Sequence, residues 1–318
     1  MICFSNAPGG GTEGVPMTPP RQVLPRGMYM ITRRISQRQF LMRPGKDTTS
    51  AFGYCLAVAA KRHGIRVCWL MVMSNHYHAG VYDEFGNFPE FLRDFHSLLA
   101  RCLNCLHARW ENVWASEQTS VVHLGDADAI FDKMVYSLCN AVKDHLVDRA
   151  HHWPGLCSYR YQLTNRPLVA TRPHWFFDKD GGMPERVELH FERPREFAHL
   201  SDEQWTEKLM SAVAQEETKA ADVRKAEGRR VLGSKAVRRQ SPFSHPKTTS
   251  DRRRLRPRVA SKNKWRRIEM LQRNRHFQDC YRRAYARRAA GDVDVLFPYG
   301  SYKLRVQGLV RCEPPPLH

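Results

Sequence analysis

The chain has 318 residues, 42% of them hydrophobic and 10% aromatic, enough apolar mass for one or two packed domains and too much for wholesale disorder. No apolar run approaches the length of a membrane span, and the first residues lack the basic-then-apolar pattern of a secretory signal, so neither is expected. Lys and Arg total 51 against 32 Asp and Glu, a net charge of +19 that points to a polyanionic partner.

Residues 1–25 are rich in Gly and Pro and read as a flexible leader. Gly9, Gly11 and Gly14 have G-x-G-x-x-G spacing, but no strand precedes them and Pro8 and Pro16 flank them, so a dinucleotide loop is rejected. Met28–Ile35 reads as a strand. Asp47 or Thr48 caps a helix running to about His63, where Gly64 stops it. Ile65–Met73 is almost continuously apolar and reads as a central strand. Ser74 and Asn75 turn the chain, and His76–Tyr82 returns as the hairpin partner.

Asn87, with Pro89 just inside, opens a long helix whose stripe is Phe88, Phe91, Leu92, Phe95, Leu98, Leu99, Cys102, Leu106 and Trp110. Thr119–Leu124 is a short strand, and Asp126 caps a third helix through about Asp148. The order β-α-β-β-α-β-α predicts an α+β fold: a ferredoxin-like split βαβ domain, with an antiparallel sheet backed by helices.

Beyond His151 a Trp- and Pro-rich connector leads to a charged helix from about Ser201 to Arg230. A basic loop follows, then a helix from about Lys262 to Ala290, ended by Gly291, and a strand-like stretch over Leu296–Val306. The expected organisation is a leader (1–25), a folded domain (26–160) and a mostly helical accessory region (161–318), basic between 224 and 288. Between Arg224 and Arg288, 23 Lys and Arg face four acids. This stretch carries the entire charge surplus, and the rest of the chain is balanced. Such a block suits a nucleic-acid backbone, with Arg252, Arg253, Arg254, Arg256, Arg258, Lys262, Lys264, Arg266 and Arg267 as the candidate contacts. Trp265, Phe277, Tyr281 and Tyr285 lie among these cations. Docking of a helix through Phe277, Tyr281 and Tyr285 is preferred to base stacking by them.

The nine cysteines are odd in number and scattered, which fits reduced thiols in a cytoplasmic protein rather than a disulfide framework. Cys102 and Cys105 lie within a helix and lack a partner pair, so a zinc site is not expected.

His76 and His78 are two apart on a strand, so both imidazoles share a face and can grip one divalent ion, while Tyr77 points the other way. The plainer alternative is a hydrogen-bonded pair at a sheet rim. On the third helix the stripe Ile130, Met134, Leu138, Val142 faces the core. Tyr136 and Asn140 fall on the opposite face one turn apart, with Lys143 nearby. A phenol, an amide oxygen and an ammonium are thereby presented together; an incidental exposed tyrosine is the alternative. Tyr159 and Tyr161, further along, suit packing or base stacking better than nucleophilic attack.

Several stretches, in order, resemble the HUH single-tyrosine transposases of the REP-associated branch. Tyr29-Met30-Ile31-Thr32-Arg33-Arg34 looks like the family's first strand, and Met73-Ser74-Asn75-His76-Tyr77-His78 like its Met-Pro-Asn-His-x-His. Phe91-Leu92-Arg93-Asp94-Phe95-His96 looks like the start of its long helix. Tyr136-Ser137-Leu138-Cys139-Asn140-Ala141-Val142 resembles its Tyr-x-x-x-Asn-Pro-Val, and His152-Trp153-Pro154-Gly155 its connector. The resemblance covers about residues 26–160. Ser74 and Ala141 stand where the family has Pro, with Ala141 expected to let the helix continue, and Arg109–Glu117 lacks a basic motif common in the family.

The resemblance implies a metal-dependent single-strand DNA nuclease and transesterase acting on hairpin-bearing repeat ends, as monomer or homodimer. It makes Tyr136 the nucleophile, giving a 5′-phosphotyrosyl link, with His76, His78 and Asn140 holding Mg²⁺ or Mn²⁺ and Lys143 in possible support. Two other classes remain open. One is a DNA-binding regulator on the same fold without turnover. The other is an RNA-binding module, which requires exposed aromatics on the sheet, with Tyr29 and Tyr82 as candidates.

Overall fold

A computed structural model describes residues 20–248, 257–302, 306 and 308–315. Most of the leader, with Gly9, Gly11 and Gly14, lies outside the described residues, as do Arg252, Arg253, Arg254 and Arg256. The chain forms two compact units, Leu24–Met270 and a smaller one from Met1–Val23 with Leu271–His318.

The larger unit follows the predicted order: β1 (Gly27–Arg34), α1 (Lys46–His63), β2 (Ile65–Val72), β3 (His76–Asp83), α2 (Phe88–Leu106), β4 (Ser120–Leu124) and α3 (Ala127–Leu138). The turn α4 (Asn140–Lys143), the short helix α5 (Tyr159–Thr164), the hairpin β5 (Leu168–Thr171) and β6 (Arg186–Leu189), the long helix α6 (Asp202–Ala226), α7 (Ser234–Arg239) and β7 (Val259–Ala260) come next. The sheet runs β2-β3-β1-β4-β7. Its first four strands are antiparallel neighbours and β7 lies parallel to β4. This is an α+β, ferredoxin-like architecture with helices on both faces.

Alternation along β3 divides the two cores. Tyr77 points into one, against Phe52 of α1 and Phe95 of α2, with ring centroids 5.4 and 5.6 Å away. His76, His78 and Gly80 point to the other face, where Trp69, Met134 and Leu138 pack with Trp205, Leu209 and Val213 of α6. Gly80 is required here, because a Cβ on it would lie 2.2–2.3 Å from ring atoms of Trp69. A bulge between Val67 and Trp69 sets Trp69 opposite Gly80. Its indole N–H then donates to Ser137 Oγ at 3.2 Å and ties α3 to the sheet.

Several local expectations need correction. β2 is an edge strand, not a central one. Its apolar character follows from cover on its outer side, where Val72 N–H donates to Leu156 O, Ser158 N–H to Leu70 O and Glu192 N–H to Val67 O. The start of α2 is held not by the Asn87 side chain but by Asp83, whose carboxylate accepts amides of Gly86 and Asn87 at 2.9 Å and Phe88 at 2.8 Å. α2 stops at Leu106, leaving Trp110 outside it and exposed. α1 begins after Gly45, with no side-chain cap, and ends at Gly64 in the left-handed region (φ 65°) as predicted.

In the smaller unit, β8 (Leu296–Phe297) pairs in parallel with β9 (Arg311–Cys312), following α8 (Lys264–Ala289), which starts in the larger unit. Tyr281 packs edge-on to Phe297 at 5.3 Å and lies 6.0 Å from Phe277. The aromatic face of α8 thus builds this unit's own small core.

Candidate active site

β1, β3 and the α3–α4 junction place the candidate residues. Register pairs Thr32 with His78 and Arg34 with His76 across the β1–β3 ladder, so Thr32 and His78 share a face and a rim. Asp126 caps α3 by accepting the Ala129 amide at 2.8 Å. From there Ile130, Met134 and Leu138 fall inward while Tyr136 emerges, 42% exposed. The expected continuation of the helix to Asp148 does not occur: Cys139 (φ −91°, ψ 7°) ends α3 and a single turn restarts at Asn140. The break changes the position of Asn140. Expected on the exposed face with Tyr136, it is 7% exposed and turned inward against His78.

The geometry brings the predicted residues together. The rings of His76 and His78 have centroids 4.9 Å apart and nearly perpendicular. The Tyr136 ring lies 6.0 Å from that of His78, and Asn140 Nδ2 lies 3.0 Å from His78 Nε2. Lys143 Nζ sits 4.8 Å above the Tyr136 ring and Lys133 Nζ 5.7 Å from it.

Hydrogen bonds select the tautomers. Asn75 Oδ1 can only accept, so His76 Nδ1, 2.7 Å away, carries the proton and leaves a lone pair on Nε2. His78 Nε2 accepts from the Asn140 amide, so its Nδ1 donates to Thr32 Oγ1 at 2.7 Å. Burial, then the charges of Arg34 and Arg38, pushes His76 down to about 4. Burial, then His76 and Lys133, holds His78 well below the usual range. Both rings are therefore neutral near pH 7, with an Nε2 lone pair each.

This donor set fits a divalent ion: two neutral imidazoles oriented by outer hydrogen bonds, plus a carboxamide whose half-turn exchanges Nδ2 for Oδ1 at the same point. A cation would take its third protein ligand from the amide. Among the described residues no group of three or more His, Cys, Asp or Glu side chains could hold a metal ion.

Lys143 is not a freely solvated side chain. It pairs with Glu216 of α6 at 2.7 Å, and that carboxylate, which also meets Lys219 at 2.8 Å, is held below its usual range by the two hydrogen bonds. Thr32, Asn75, Lys133 and Glu216 were absent from the sequence-based set. Lys133 was accessible by its i−3 spacing to Tyr136, and Asn75 by adjacency in the hairpin. Thr32 requires the strand register, and Glu216 requires the tertiary fold.

The remaining candidates sort by environment. Tyr29 and Tyr82 are buried, with the Arg195 guanidinium 4.1 Å above the Tyr82 ring, so the aromatic platform expected of an RNA-binding sheet is missing at these positions. Tyr159 is buried and its phenol pushed up to about 12. Cys102 lies in the core, with its sulfur 3.7 Å from that of Cys55, while Cys105 is exposed. Of the basic contacts, Lys262 pairs with Asp132 at 2.5 Å and Arg266 with Glu269 at 2.8 Å. Arg267 donates to Ser261 O at 3.4 Å, Lys264 lies 5.7 Å from the exposed Trp265 ring, and burial lowers the Arg258 guanidinium. No helix among the described residues is long and apolar enough to cross a membrane.

No family model matches the chain, and no curated protein matches it. Among solved structures it is similar to a REP-associated tyrosine transposase bound to a REP hairpin, at 13% identity and a TM-score of 0.40, over 52% of this chain and 96% of that one. It is also similar to a Deinococcus radiodurans R1 protein provisionally named a transposase, at 16% identity and a TM-score of 0.26, over 30% of this chain and 76% of that one. At these identities and scores neither likeness assigns chemistry to this chain.

Proposed function

We propose that the chain is a transposase-type DNA strand transferase, which cuts single-stranded, hairpin-bearing DNA with the help of a divalent cation and holds the cut end on Tyr136. The observation that carries the reading is the juxtaposition of an exposed phenol with two neutral imidazoles whose orientations are fixed by Asn75 and Thr32. His76, His78 and Asn140 would hold Mg²⁺ or Mn²⁺, which supplies polarisation of the scissile phosphate.

The Tyr136 oxygen attacks phosphorus. The new O–P bond forms as the bond to the 3′ oxygen breaks, leaving a 5′-phosphotyrosyl ester and a strand with a 3′ hydroxyl. The phenolic proton passes to solvent and the departing 3′ oxygen takes one up. Lys143, held by Glu216, and Lys133 lie over the ring, where they would meet the charge of the incoming phosphate. Ester replaces ester, so a later attack by a 3′ hydroxyl rejoins strands without a nucleotide cofactor.

Incubation of the full chain with end-labelled single-stranded hairpin DNA and Mn²⁺ tests this. A covalent protein–DNA adduct is expected, lost with EDTA and lost by at least ~10³-fold in Tyr136→Phe. DNA binding without an adduct under any divalent ion would instead favour the regulator without turnover.

A further inference from the structure

A second basic feature lies apart from the candidate contacts between Arg252 and Arg267, and joins α7 of the basic stretch to Lys46, Arg160 and Arg166. Residues Ala150–Pro167 and α7 enclose a cavity of about 700 Å³. It shares Thr49, Pro154, Tyr161 and Arg238 with a second cavity of about 730 Å³ against α1 and β5. It shares Ser234 and Lys235 with a third, of about 610 Å³, along α7. The three form one continuous groove.

Its lining contains Lys46, Arg160, Arg166, Lys235, Arg238 and Arg239 and no Asp or Glu. Among the described residues, the side chains of Lys46, Arg166, Lys235, Arg238 and Arg239 meet no acidic partner. Elsewhere in the larger unit cations such as Arg149, Arg172, Arg193 and Arg195 are ion-paired.

The wall is firmly built. Val237 of α7 is fully buried. Leu232 and Gly233 donate their amides to His145 O and Leu146 O at 3.0 and 2.9 Å. Ser234 Oγ donates to His152 O at 2.7 Å, and Arg43 donates to Arg238 O. An α7 pinned this way holds three cations over the groove at little ordering cost. Tyr161 lines two of the cavities, half-buried, with its ring 5.5 Å from Phe191.

We propose that this groove binds the sugar–phosphate backbone of a single DNA strand, with Arg166, Lys235 and Arg238 as phosphate contacts and Tyr161 as the adjoining aromatic surface. Unpaired cations, an aromatic and the absence of lining acids are the chemistry of strand tracking without base readout. The inference rests on the protein acting on single-stranded DNA, but not on its cutting it.

The test measures binding of a fluorescein-labelled single-stranded 30-mer to the full chain carrying Tyr136→Phe, across a range of KCl. Two triple variants are compared, each losing three positive charges: Arg166→Gln/Lys235→Gln/Arg238→Gln in the groove, and Lys61→Gln/Arg101→Gln/Lys179→Gln elsewhere. Thermal midpoints confirm that both fold. The groove triple is expected to lose at least ~10-fold in affinity and to flatten the log K against log salt slope by about 2, whereas the control changes less than ~3-fold. Equal losses in both triples, or an unchanged slope in the groove triple, would overturn the proposal. So would equal competition by an unlabelled duplex of the same length. Binding that depends on the groove in a protein that forms no adduct contradicts the nuclease reading alone. An adduct formed by a protein whose groove triple binds like the parent contradicts the groove alone.

Discussion

Thr32 is a plain strand residue whose importance lies in the register, since β1 pairs it with His78 and its hydroxyl oxygen accepts a hydrogen bond from the imidazole's Nδ1–H. Removing that acceptor frees the ring to change tautomer. Thr32→Val is expected to weaken Mn²⁺ binding ~10–100-fold, while Thr32→Ser stays within ~3-fold, as read by electron paramagnetic resonance of free Mn²⁺. Unchanged affinity in Thr32→Val would contradict the assigned tautomer. On the opposite face of β3, Tyr77 Oη and His96 Nε2 share a hydrogen bond of 2.6 Å, and burial pushes His96 down to about 3. Its folded pKa lies below the ordinary value near 6.5, so only the unfolded chain takes up the proton between those limits. Stability is therefore full above about pH 6.5 and is lost as the pH falls toward 3, by up to a few kcal/mol from this group. Urea midpoints should fall less between pH 7 and 4.5 in the Tyr77→Phe/His96→Leu double variant than in the parent; parallel profiles would sink the assignment.

Elements differ in how openly the sequence announces them. The helical periods of α1 to α3 and the alternation of β3 are carried by side chains that face one core each, so their order, and their boundaries apart from the end of α3, were readable to within a few residues. β2 misled because all but one of its residues are buried, a pattern shared by central strands and by edges covered by irregular chain. The end of α3 was hidden because neither Gly nor Pro marks Cys139; the turn it makes is visible only as the inward position of Asn140 against His78. Asp83 was overlooked as the cap of α2 because it sits on the preceding strand, five residues from Phe88. Packing between elements also yields a prediction. Gly80 makes room for Trp69, which in turn holds α3 through Ser137. Gly80→Ala should cost about 1–3 kcal/mol by overpacking, read as a lower urea midpoint with an unchanged slope. A variant as stable as the parent would show that Trp69 does not need this approach.

At the scale of the whole molecule, the candidate site does not belong to the first half of the chain alone. α6 lies in the region expected to be accessory, yet its Glu216 holds the lysine beside Tyr136, and β7 extends the main sheet. A two-residue strand has no readable period, and an ion pair between residues 143 and 216 has no local signature, so neither was legible. The histidine pair, the tyrosine and their helix were legible because strand and helix spacing alone put them on named faces. Glu216→Gln is expected to slow adduct formation several-fold while leaving Mn²⁺ affinity unchanged; equal rates would mean that the pair does not position Lys143. The central claim is that one particular phenol carries the DNA. Proteolysis of the adduct followed by mass spectrometry reads it directly: the account predicts nucleotide mass on the peptide containing Tyr136, and nucleotide mass on the Tyr159 and Tyr161 peptide instead would contradict it.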